Sequence, residues 1–446
     1  MEWRSGRRRR LRSSSPTDED GISALPDDLL LLVLARLRCT REAARTGVLS
    51  RRWRGLWTRL HEIVFHDLPL PSLEPALGRI DSPAVSLLEI RVPDADGTKP
   101  HADEYPGFNS LLRAAARLAP EEFVFRTTLG LPDDRSVVVD LPCFHRTTSI
   151  VMDTYLLTLR VPAGVDFPAL QTLSLSGRVR VSYLDPLLSC CPRLRTLRLR
   201  SIVGVGGLTV SSPSLQELII VGLYQRKHRI DIVAPMLKQL TMSFLSSGVA
   251  SISVLAPMAE KIMWDCGYSK ARVVFAFGFW RLDQVTLRTG EGQARLPSLQ
   301  ICAHATSSVL GTEEHTFAEE IEKHMIARFS VLELHLTTNG HAFGALVFHL
   351  LGMARICRSI RRLKVILERS TVEEECPFDC FCEPWNWRSQ TISLSALEEV
   401  EIKGFQGHGQ EVDVLKLITQ CAPMLKKTTM KLSEETSASN DGCAKI

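Results

Sequence analysis

The sequence contains no long hydrophobic run. Its longest uninterrupted apolar stretch, Leu29–Ala35, has seven residues, whereas a membrane-spanning helix needs about 20. The first ten residues, MEWRSGRRRR, also lack the apolar core of a secretory signal. The 12 cysteines of the 446-residue chain do not follow the spacing of a small disulfide-bonded domain, so we expect free thiols in a reducing compartment. These features predict a folded protein of the nucleus or cytoplasm, without a membrane segment.

Catalytic and cofactor-binding motifs are also scarce. Residues 204–208, GVGGL, lack the Lys-Ser/Thr pair of a phosphate-binding loop, and no G-x-S-x-G motif occurs. Cys376, Cys380 and Cys382, with His408 not far along the chain, do not have the four-ligand spacing of a zinc site. We therefore expect no catalytic residue set, no metal site and no cofactor, which argues against an enzyme.

Lysine is absent from the first 60 residues, which instead hold 14 arginines and seven acidic residues. This segment therefore carries +7, and because the whole chain carries +4, the remainder carries −3. The excess lies between Arg4 and Arg12, where too few apolar residues occur to form a core, so residues 1–20 are predicted to be a disordered basic tail. Its RRRRLR run suits a nuclear-import signal and also a plain solvated tail. Nucleic-acid binding through this tail is a weaker alternative, because such proteins more often spread basic residues over a folded face.

Helix signals begin at residue 26. Pro26 suits the first turn of a helix, and Asp27 and Asp28 place negative charge near its N-terminus. The apolar residues that follow lie on one broad helical face: Leu29, Leu30, Val33, Leu34 and Leu37. The pattern predicts an amphipathic first helix.

Two further helices are predicted before residue 60. Thr40 is placed to cap the second helix, which Gly47 ends, and Ser50 is placed to cap the third. The third helix, RRWRGLWTRL, carries an apolar stripe flanked by arginines: Trp53, Leu56, Trp57 and Leu60. About forty residues in three short helices cannot bury all of these side chains internally. Some of them must meet either the rest of the chain or a partner, and the sequence leaves both open.

After residue 60 the chain repeats the pattern L-x-x-L-x-L. The first apolar positions of the clearest motifs are Leu170, Leu194, Leu215, Leu237, Ala259 and Leu282. Their spacings of 24, 21, 22, 22 and 23 residues are typical of a leucine-rich-repeat solenoid, in which short strands stack over one shared core. A second set of apolar pairs recurs 22 residues apart and predicts extended segments on the turn side: Leu208/Val210, Ile230/Ile232 and Ile252/Val254.

The period is less regular in the second half. Residues 290–327 interrupt it, and EEHTFAEEIEKHM within them has the pattern of an amphipathic helix. Later strand motifs begin at Val331, Ile360, Leu397 and Leu425, with wider spacings that leave room for helices. We therefore predict a repeat domain over residues 61–370 with an insertion near 290–327.

Residues 21–60 resemble a plant F-box. The match lies in the Leu-Pro-Asp-Asp start, the leucines after it, and AARTGVLSRRWRGLW, although Gly47 stands where the family more often has serine. In that family the module docks on the Skp adaptor of a cullin-RING ubiquitin ligase. The resemblance implies that the following residues contact the adaptor or support that contact: Leu25, Pro26, Leu29, Leu34, Val48, Leu49, Trp53 and Trp57.

Residues 371–434 resemble the FBD region of plant F-box proteins. The matching elements are Cys382, Trp385, Asn386, Trp387, LEEVEIKGF and CAPMLKK. The pattern predicts a strand near Val400, a glycine-rich turn, a helix near Val414 and another strand, which would cap the repeat array before a flexible tail over residues 435–446. The expected fold is α/β: a short three-helix F-box, then an irregular leucine-rich-repeat solenoid capped by an FBD region.

The order of F-box, repeats and FBD region implies a substrate-recognition adaptor of an SCF-type (Skp-cullin-F-box) ubiquitin ligase. Such a chain is not an enzyme, because it acts by holding a protein substrate, unknown here, near the ubiquitin-charged enzyme. The main alternative is a non-ligase binding scaffold whose F-box-like helices merely cap the repeats.

Overall fold

The computed structural model describes most of the chain between residues 22 and 432. The described residues are 22, 25–66, 68–92, 107–127, 137–154, 157–177, 184–202, 207–223, 228–246, 250–268, 273–277, 280–291, 297–305, 313–324, 329–338, 341–368, 387–407 and 409–432. The predicted basic tail, the last 14 residues, and the cysteines considered above as zinc ligands lie outside them.

Helices are few and short. The α-helices are α1 (Asp27–Arg36), α2 (Thr40–Arg45), α3 (Leu70–Leu77), α4 (Gly107–Arg117), α5 (Leu184–Ser189), α6 (Phe317–His324), α7 (Gly344–Gly352), α8 (Ala354–Cys357) and α9 (Gly409–Cys421). The described 3-10 helices are Thr46–Val48, Trp53–Arg59 and Trp387–Ser389. None of the helices in the described ranges is long and apolar enough to cross a bilayer.

Strands make up the larger part of the fold. In the first half they are β1 (Glu62–His66), β2 (Leu87–Val92), β3 (Glu122–Thr127), β4 (Val137–Asp140), β5 (Ser149–Thr154), β6 (Leu157–Arg160), β7 (Thr172–Ser176), β8 (Thr196–Arg200), β9 (Leu208–Ser211), β10 (Glu217–Leu223) and β11 (His228–Val233). In the second half they are β12 (Gln239–Ser246), β13 (Ala250–Leu255), β14 (Lys261–Tyr268), β15 (Val273–Phe277), β16 (Trp280–Glu291), β17 (Pro297–Ala305), β18 (Glu313–Thr316), β19 (Val331–Thr337), β20 (Arg362–Glu368), β21 (Glu399–Phe405) and β22 (Lys427–Leu432).

Most strands pair in parallel and build one large sheet. Its first part runs β1–β2–β3–β5–β7–β8–β10–β12–β14, with every neighbouring pair parallel. Its last part runs β17–β19–β20–β21–β22, again in parallel. Parallel neighbours require a crossover of chain between them. The fold is therefore mixed α/β, with parallel sheets that are consistent with leucine-rich-like repeats.

The sequence period sets the register of these strands. The first core-side residues of consecutive strands are direct cross-strand neighbours: Leu173, Leu197, Leu218, Leu240 and Ile262. The first leucine of each motif lies two residues before its strand and is fully buried: Leu170, Leu194, Leu215 and Leu237. Because side chains alternate between the faces of a strand, this register stacks the leucines of successive repeats into one core.

The turn-side segments form a second, smaller sheet. β9, β11 and β13 pair in parallel. Their register aligns the predicted apolar pairs in two rows, Leu208 with Ile230 and Ile252, and Val210 with Ile232 and Val254. The predicted extended segments are thus confirmed, and α5 adds three buried leucines to the same side of the repeats.

The parallel order breaks after β14. β16 pairs antiparallel with both β14 and β17, so Leu282 does not continue the repeat register. The prediction that WRLDQVTL forms the next repeat strand is therefore wrong in direction, because alternating apolar residues determine which face is buried and not which way a strand runs. The predicted amphipathic helix is confirmed in part: α6 is present, with Phe317 and Ile321 buried, but the first four residues of the predicted helix form β18.

The C-terminal region follows the predicted order of strand, helix and strand in β21, α9 and β22. Trp387 is buried against Phe348 of α7, with ring centroids 5.7 Å apart. Gly344, also in α7, has no room for a Cβ because the Trp387 ring occupies that space. This contact joins the region around Trp387 to the preceding repeat, while Cys382, Trp385 and Asn386 lie outside the described residues.

Candidate docking surface

The N-terminal helices share one hydrophobic core with the repeats. The buried members from this part of the chain are Leu30, Leu34, Ala43, Trp53, Leu56, Trp57 and Leu60. They belong to the same cluster of buried residues as Ile63 and Phe65 of β1. The apolar stripe of the third helical segment therefore packs against the rest of the chain, which is one of the two possibilities that the sequence left open.

The third helical segment differs from its prediction. It is a 3-10 helix that begins at Trp53, and no side chain caps its N-terminus, so Ser50 does not have the expected role. In a 3-10 helix, residues three apart lie on the same side. Trp53 and Leu56 thus both point into the core, and Trp57 joins them from the next turn.

Thr40 connects this helical module to the first strand of the sheet. It was expected to cap α2, but it is the first residue of that helix and is buried. Its hydroxyl accepts a hydrogen bond of 2.8 Å from the backbone N–H of Val64 in β1. β1 has only one strand neighbour among the described residues, β2. The module therefore lies against the open end of the sheet and gives one of its edge N–H groups a partner.

Two arginines of the basic stretch are engaged within the module. Arg52 contacts the carboxylate of Asp27 at 2.7 Å and donates to the backbone carbonyl of Leu25, and Arg59 lies 3.5 Å from the same carboxylate. Asp27 is the first residue of α1, where negative charge interacts favourably with the helix dipole. These contacts join the start of α1 to the third helical segment, which gives part of the basic stretch a role within the fold.

Gly47 marks a close approach between two parts of the module. A Cβ at this position would lie 3.3 Å from the backbone Cα of Arg54, which is tighter than an ordinary contact. Serine, the residue that the resemblance led us to expect here, would require the two 3-10 segments to move apart slightly. Glycine therefore suits the local packing of this chain.

Several large apolar side chains of the module remain exposed. On α1 they are Leu29, Leu32 and Val33, directly after it Leu37, and after α2 they are Val48 and Leu49. Val48 is 87% exposed and Leu49 is 67% exposed, whereas Trp53 and Trp57 are only 6% and 8% exposed. Exposed apolar groups concentrated on a small module are typical of a surface that binds another protein. We call these six residues the docking surface.

The eight residues named from the sequence fall into two groups. Pro26, Leu29, Val48 and Leu49 are exposed and Leu25 is half-buried. Leu34, Trp53 and Trp57 are buried in the shared core. Leu32, Val33 and Leu37 are exposed as well, although they were not among the contact residues predicted from the sequence. The broad apolar face predicted from the sequence is divided in the structure, where Leu30 and Leu34 are buried while Leu29, Val33 and Leu37 are exposed.

A second cluster of charged side chains lies on the face of the sheet opposite the core. Glu333 of β19 accepts from Lys364 at 2.8 Å, and His335 Nε2 lies 2.7 Å from the same carboxylate. Burial raises the pKa of Glu333, but the hydrogen bonds from Lys364 and His335 outweigh it and hold the pKa below its usual value. A carboxylate that stays ionised and paired in this way suits an ion-pair network better than proton donation near neutral pH.

No group of three or more metal-ligating side chains occurs within the part of the chain that the structure describes. Cys376, Cys380, Cys382 and His408 lie outside that part. Burial and the nearby Cys190 and Asp166 raise the pKa of the Cys191 thiol to about 12. A thiol that stays protonated packs as a small apolar group rather than acting as a nucleophile.

Comparison with known proteins identifies two regions of the chain. A family model described as FBD-associated F-box protein At5g56370, LRR repeats, matches residues 108–262. A second model, for the FBD region, matches residues 393–430. The first match includes the parallel strands from β3 to β12, and the second includes β21, α9 and most of β22.

Relatives from Arabidopsis thaliana extend the comparison. An F-box/FBD/LRR-repeat protein, At2g05300, is 26% identical over 447 residues, which cover 95% of this chain and 93% of that protein. The F-box/LRR-repeat protein At3g59210 is 31% identical over 234 residues, or 50% of this chain and 44% of that protein. The F-box protein At1g80960 is 31% identical over 215 residues, or 46% and 40%. The chain thus spans less than half the length of the last two relatives. The repeat match, the FBD match and the end-to-end relative together show a plant F-box/LRR-repeat protein with a C-terminal FBD region.

Proposed function

We propose that the chain is the substrate-recognition subunit of an SCF-type E3 ubiquitin ligase. Its docking surface binds a Skp adaptor and through it a cullin-RING core, and its repeats hold a protein substrate. The chain itself performs no chemistry. It raises the effective concentration of the substrate's lysines near the ubiquitin-charged enzyme. Its place of action is the nucleus or the cytoplasm, or both.

The observation that carries this proposal is the exposure of Val48 and Leu49 beside a buried tryptophan core. Full burial of an exposed aliphatic side chain by a partner contributes about 1.5–3 kcal/mol to the free energy of binding, and Val48 and Leu49 are adjacent. Leu25, Pro26 and Leu29 add to the contact. Leu34, Trp53 and Trp57 support it from below by holding α1 and the following turn in place.

At a finer level, we propose that the described strands belong to a leucine-rich-repeat solenoid. The short helices before residue 60 form an F-box at its first end, and β21, α9 and β22 form an FBD cap at its last end. Support comes from the parallel order of the strands and from the core that the N-terminal helices share with them. A solenoid needs such end structures because its terminal repeats otherwise expose apolar core.

Co-purification with a plant Skp adaptor tests the adaptor contact. The informative variant is Val48→Asp/Leu49→Asp, which places two charges on exposed positions without touching the core. We expect it to bind the adaptor at least about tenfold more weakly than wild type, because charged groups are costly at a desolvated interface centre. Val138→Asp/Met424→Asp is the matched control, since both residues are exposed apolar side chains outside the module.

Trp53→Ala/Trp57→Ala is a poorer test, because both tryptophans are buried and their loss disturbs the core. If folded wild type fails to bind the adaptor, or binds it with undiminished affinity after the Val48/Leu49 change, the proposal is wrong. The former result favours a non-ligase repeat scaffold whose N-terminal helices only cap the sheet. Binding of nucleic acid that falls steeply with salt and maps to residues 4–12 would instead favour the weaker alternative, nucleic-acid binding through the basic tail.

A further inference from the structure

A pocket of about 430 Å³ lies at the edge of the sheet where β7, β8, β10 and β12 begin. Its lining consists of Gln171, Pro192, Arg193, Arg195, Ser214, Gln216 and Met236. Gln171, Arg195 and Gln216 each stand one residue before their strand, and the others lie three or four residues before theirs. The pocket is thus built from equivalent positions of consecutive repeats.

Backbone hydrogen bonds between repeats fix the pocket floor. The N–H of Arg195 donates to the carbonyl of Gln171 at 2.8 Å, and the N–H of Gln216 donates to the carbonyl of Arg195 at 2.8 Å. The Ser214 hydroxyl donates to the carbonyl of Leu194 at 2.9 Å. A floor that is held in this way is preorganised, so a ligand does not have to order it on binding.

The pocket carries positive charge that its surroundings do not compensate. Arg193 and Arg195 are exposed, and neither forms an ion pair with a described residue. Arg198, only three residues further along, contacts Glu217 at 3.3 Å. None of the described lining residues is acidic. The guanidinium groups of Arg193 and Arg195 are therefore available to pair with negatively charged groups of a partner.

An exposed apolar strip adjoins the pocket at Met236. Met236 and Met258 occupy equivalent turn positions, each three residues before its strand, and both are exposed. Val233 and Leu255, which are direct neighbours across β11 and β13, are exposed as well. We call these four residues the methionine strip. Methionine adapts its shape to different apolar partners, which suits a binding surface.

We infer that the pocket and the methionine strip bind a short acidic segment of a partner protein. A large apolar side chain of that segment packs against Pro192 and Met236, and its carboxylates pair with Arg193 and Arg195. The inference rests on the proposed function only in identifying this partner as the ligase substrate. Nucleic acid would also pair with the arginines, but it would leave the methionine strip without an apolar partner.

A peptide selection on the full-length protein tests the inference. Phage that display random peptides of about 12 residues, long enough to cover a groove of this kind, would be selected on the purified chain. We expect the enriched peptides to be net negative and to contain at least one large apolar residue. A fluorescein-labelled copy of the most enriched peptide then gives a Kd by fluorescence polarisation.

Charge reversal in the pocket should abolish most of this affinity. We expect Arg193→Glu/Arg195→Glu to raise the Kd at least about tenfold and Met236→Ser to raise it about threefold. Arg79→Glu/Arg117→Glu changes the net charge equally at exposed arginines elsewhere and should leave the Kd within about twofold. Thermal unfolding midpoints close to that of wild type would show that the variants are folded.

Three results would overturn the inference: no enriched sequence, enriched peptides without negative charge, or an unchanged Kd for Arg193→Glu/Arg195→Glu. Tighter binding of a single-stranded oligonucleotide than of the peptide at the same arginines would overturn it in favour of nucleic acid. Adaptor co-purification with the same variants separates this inference from the proposed function. Peptide binding without adaptor binding would contradict only the ligase role, and the reverse would contradict only the pocket.

Discussion

Gly177 occupies a position that admits no other residue without strain. It directly follows β7 and has a φ of 85°, a conformation that L side chains rarely adopt. A Cβ at this position would collide with the backbone carbonyl of Thr154 at the end of neighbouring β5. Gly164 has a similar φ of 80°, but no heavy atom lies within 4 Å of the place where its Cβ would be. The two glycines therefore separate the cost of backbone conformation from the cost of a close approach.

We expect Gly164→Ala to lower the free energy of unfolding by about 1 kcal/mol, the usual cost of a left-handed alanine. Gly177→Ala should lower it by roughly 3 kcal/mol or more, because the two strand ends must also move apart. Urea denaturation followed by circular dichroism measures both. Equal denaturation midpoints for the two variants would show that the approach between Gly177 and Thr154 contributes nothing.

At the scale of elements, a buried hydroxyl of α2 forms a hydrogen bond with the backbone of β1. Thr40→Val keeps the shape of the side chain but removes the acceptor for the Val64 N–H. A buried donor without a partner costs about 1–3 kcal/mol, so we expect a loss of stability in that range. Thr419→Val is the control, because its hydroxyl bonds to the Leu415 carbonyl on an exposed helix face, and it should cost about 0.5 kcal/mol or less. The loss of stability of each variant is measured by thermal and denaturant unfolding. Equal losses for Thr40→Val and Thr419→Val would argue against a special role for Thr40.

The repeat strands were the most predictable elements. The equivalent leucine of every repeat is buried only if successive strands share a register. A 22-residue spacing such as that from Leu215 to Leu237 therefore also determines which residues of β10 and β12 are paired. The direction of β16 was not predictable, because alternation carries no information about direction. The 3-10 form of Trp53–Arg59 was not predictable either, since its apolar spacing suits both kinds of helix.

The division of the module's apolar residues into exposed and buried ones was also beyond the sequence. Leu29 and Leu30 are neighbours of identical chemistry, yet one is 44% exposed and the other fully buried. Only the packing of α1 on the segment around Trp53 decides which of them meets water. The composition of the module indicated that some apolar surface must meet either the rest of the chain or a partner, and the tertiary structure identifies which apolar residues remain exposed.

At the scale of the whole molecule, the N-terminal module and the repeats are one folding unit by their packing. Trp53, Leu56, Trp57 and Leu60 are each at most 8% exposed and belong to the same core as Ile63 of β1. Deleting residues 1–60 would remove these side chains and uncover the free edge of β1, where an unpaired strand promotes association. By its packing, the N-terminal module is therefore part of the same core as the first strand.

We expect the deletion variant to unfold at a markedly lower temperature than wild type, or to aggregate, because each large side chain removed from the core contributed roughly 1.5–3 kcal/mol. Differential scanning fluorimetry with light scattering measures both outcomes. Val48→Asp/Leu49→Asp is the matched comparison, since it changes only exposed residues and should keep the wild-type midpoint within about 2 °C. A soluble deletion variant with an unchanged midpoint would mean that the repeats are complete without the module, and removing it would then be a clean way to study the repeat surface alone.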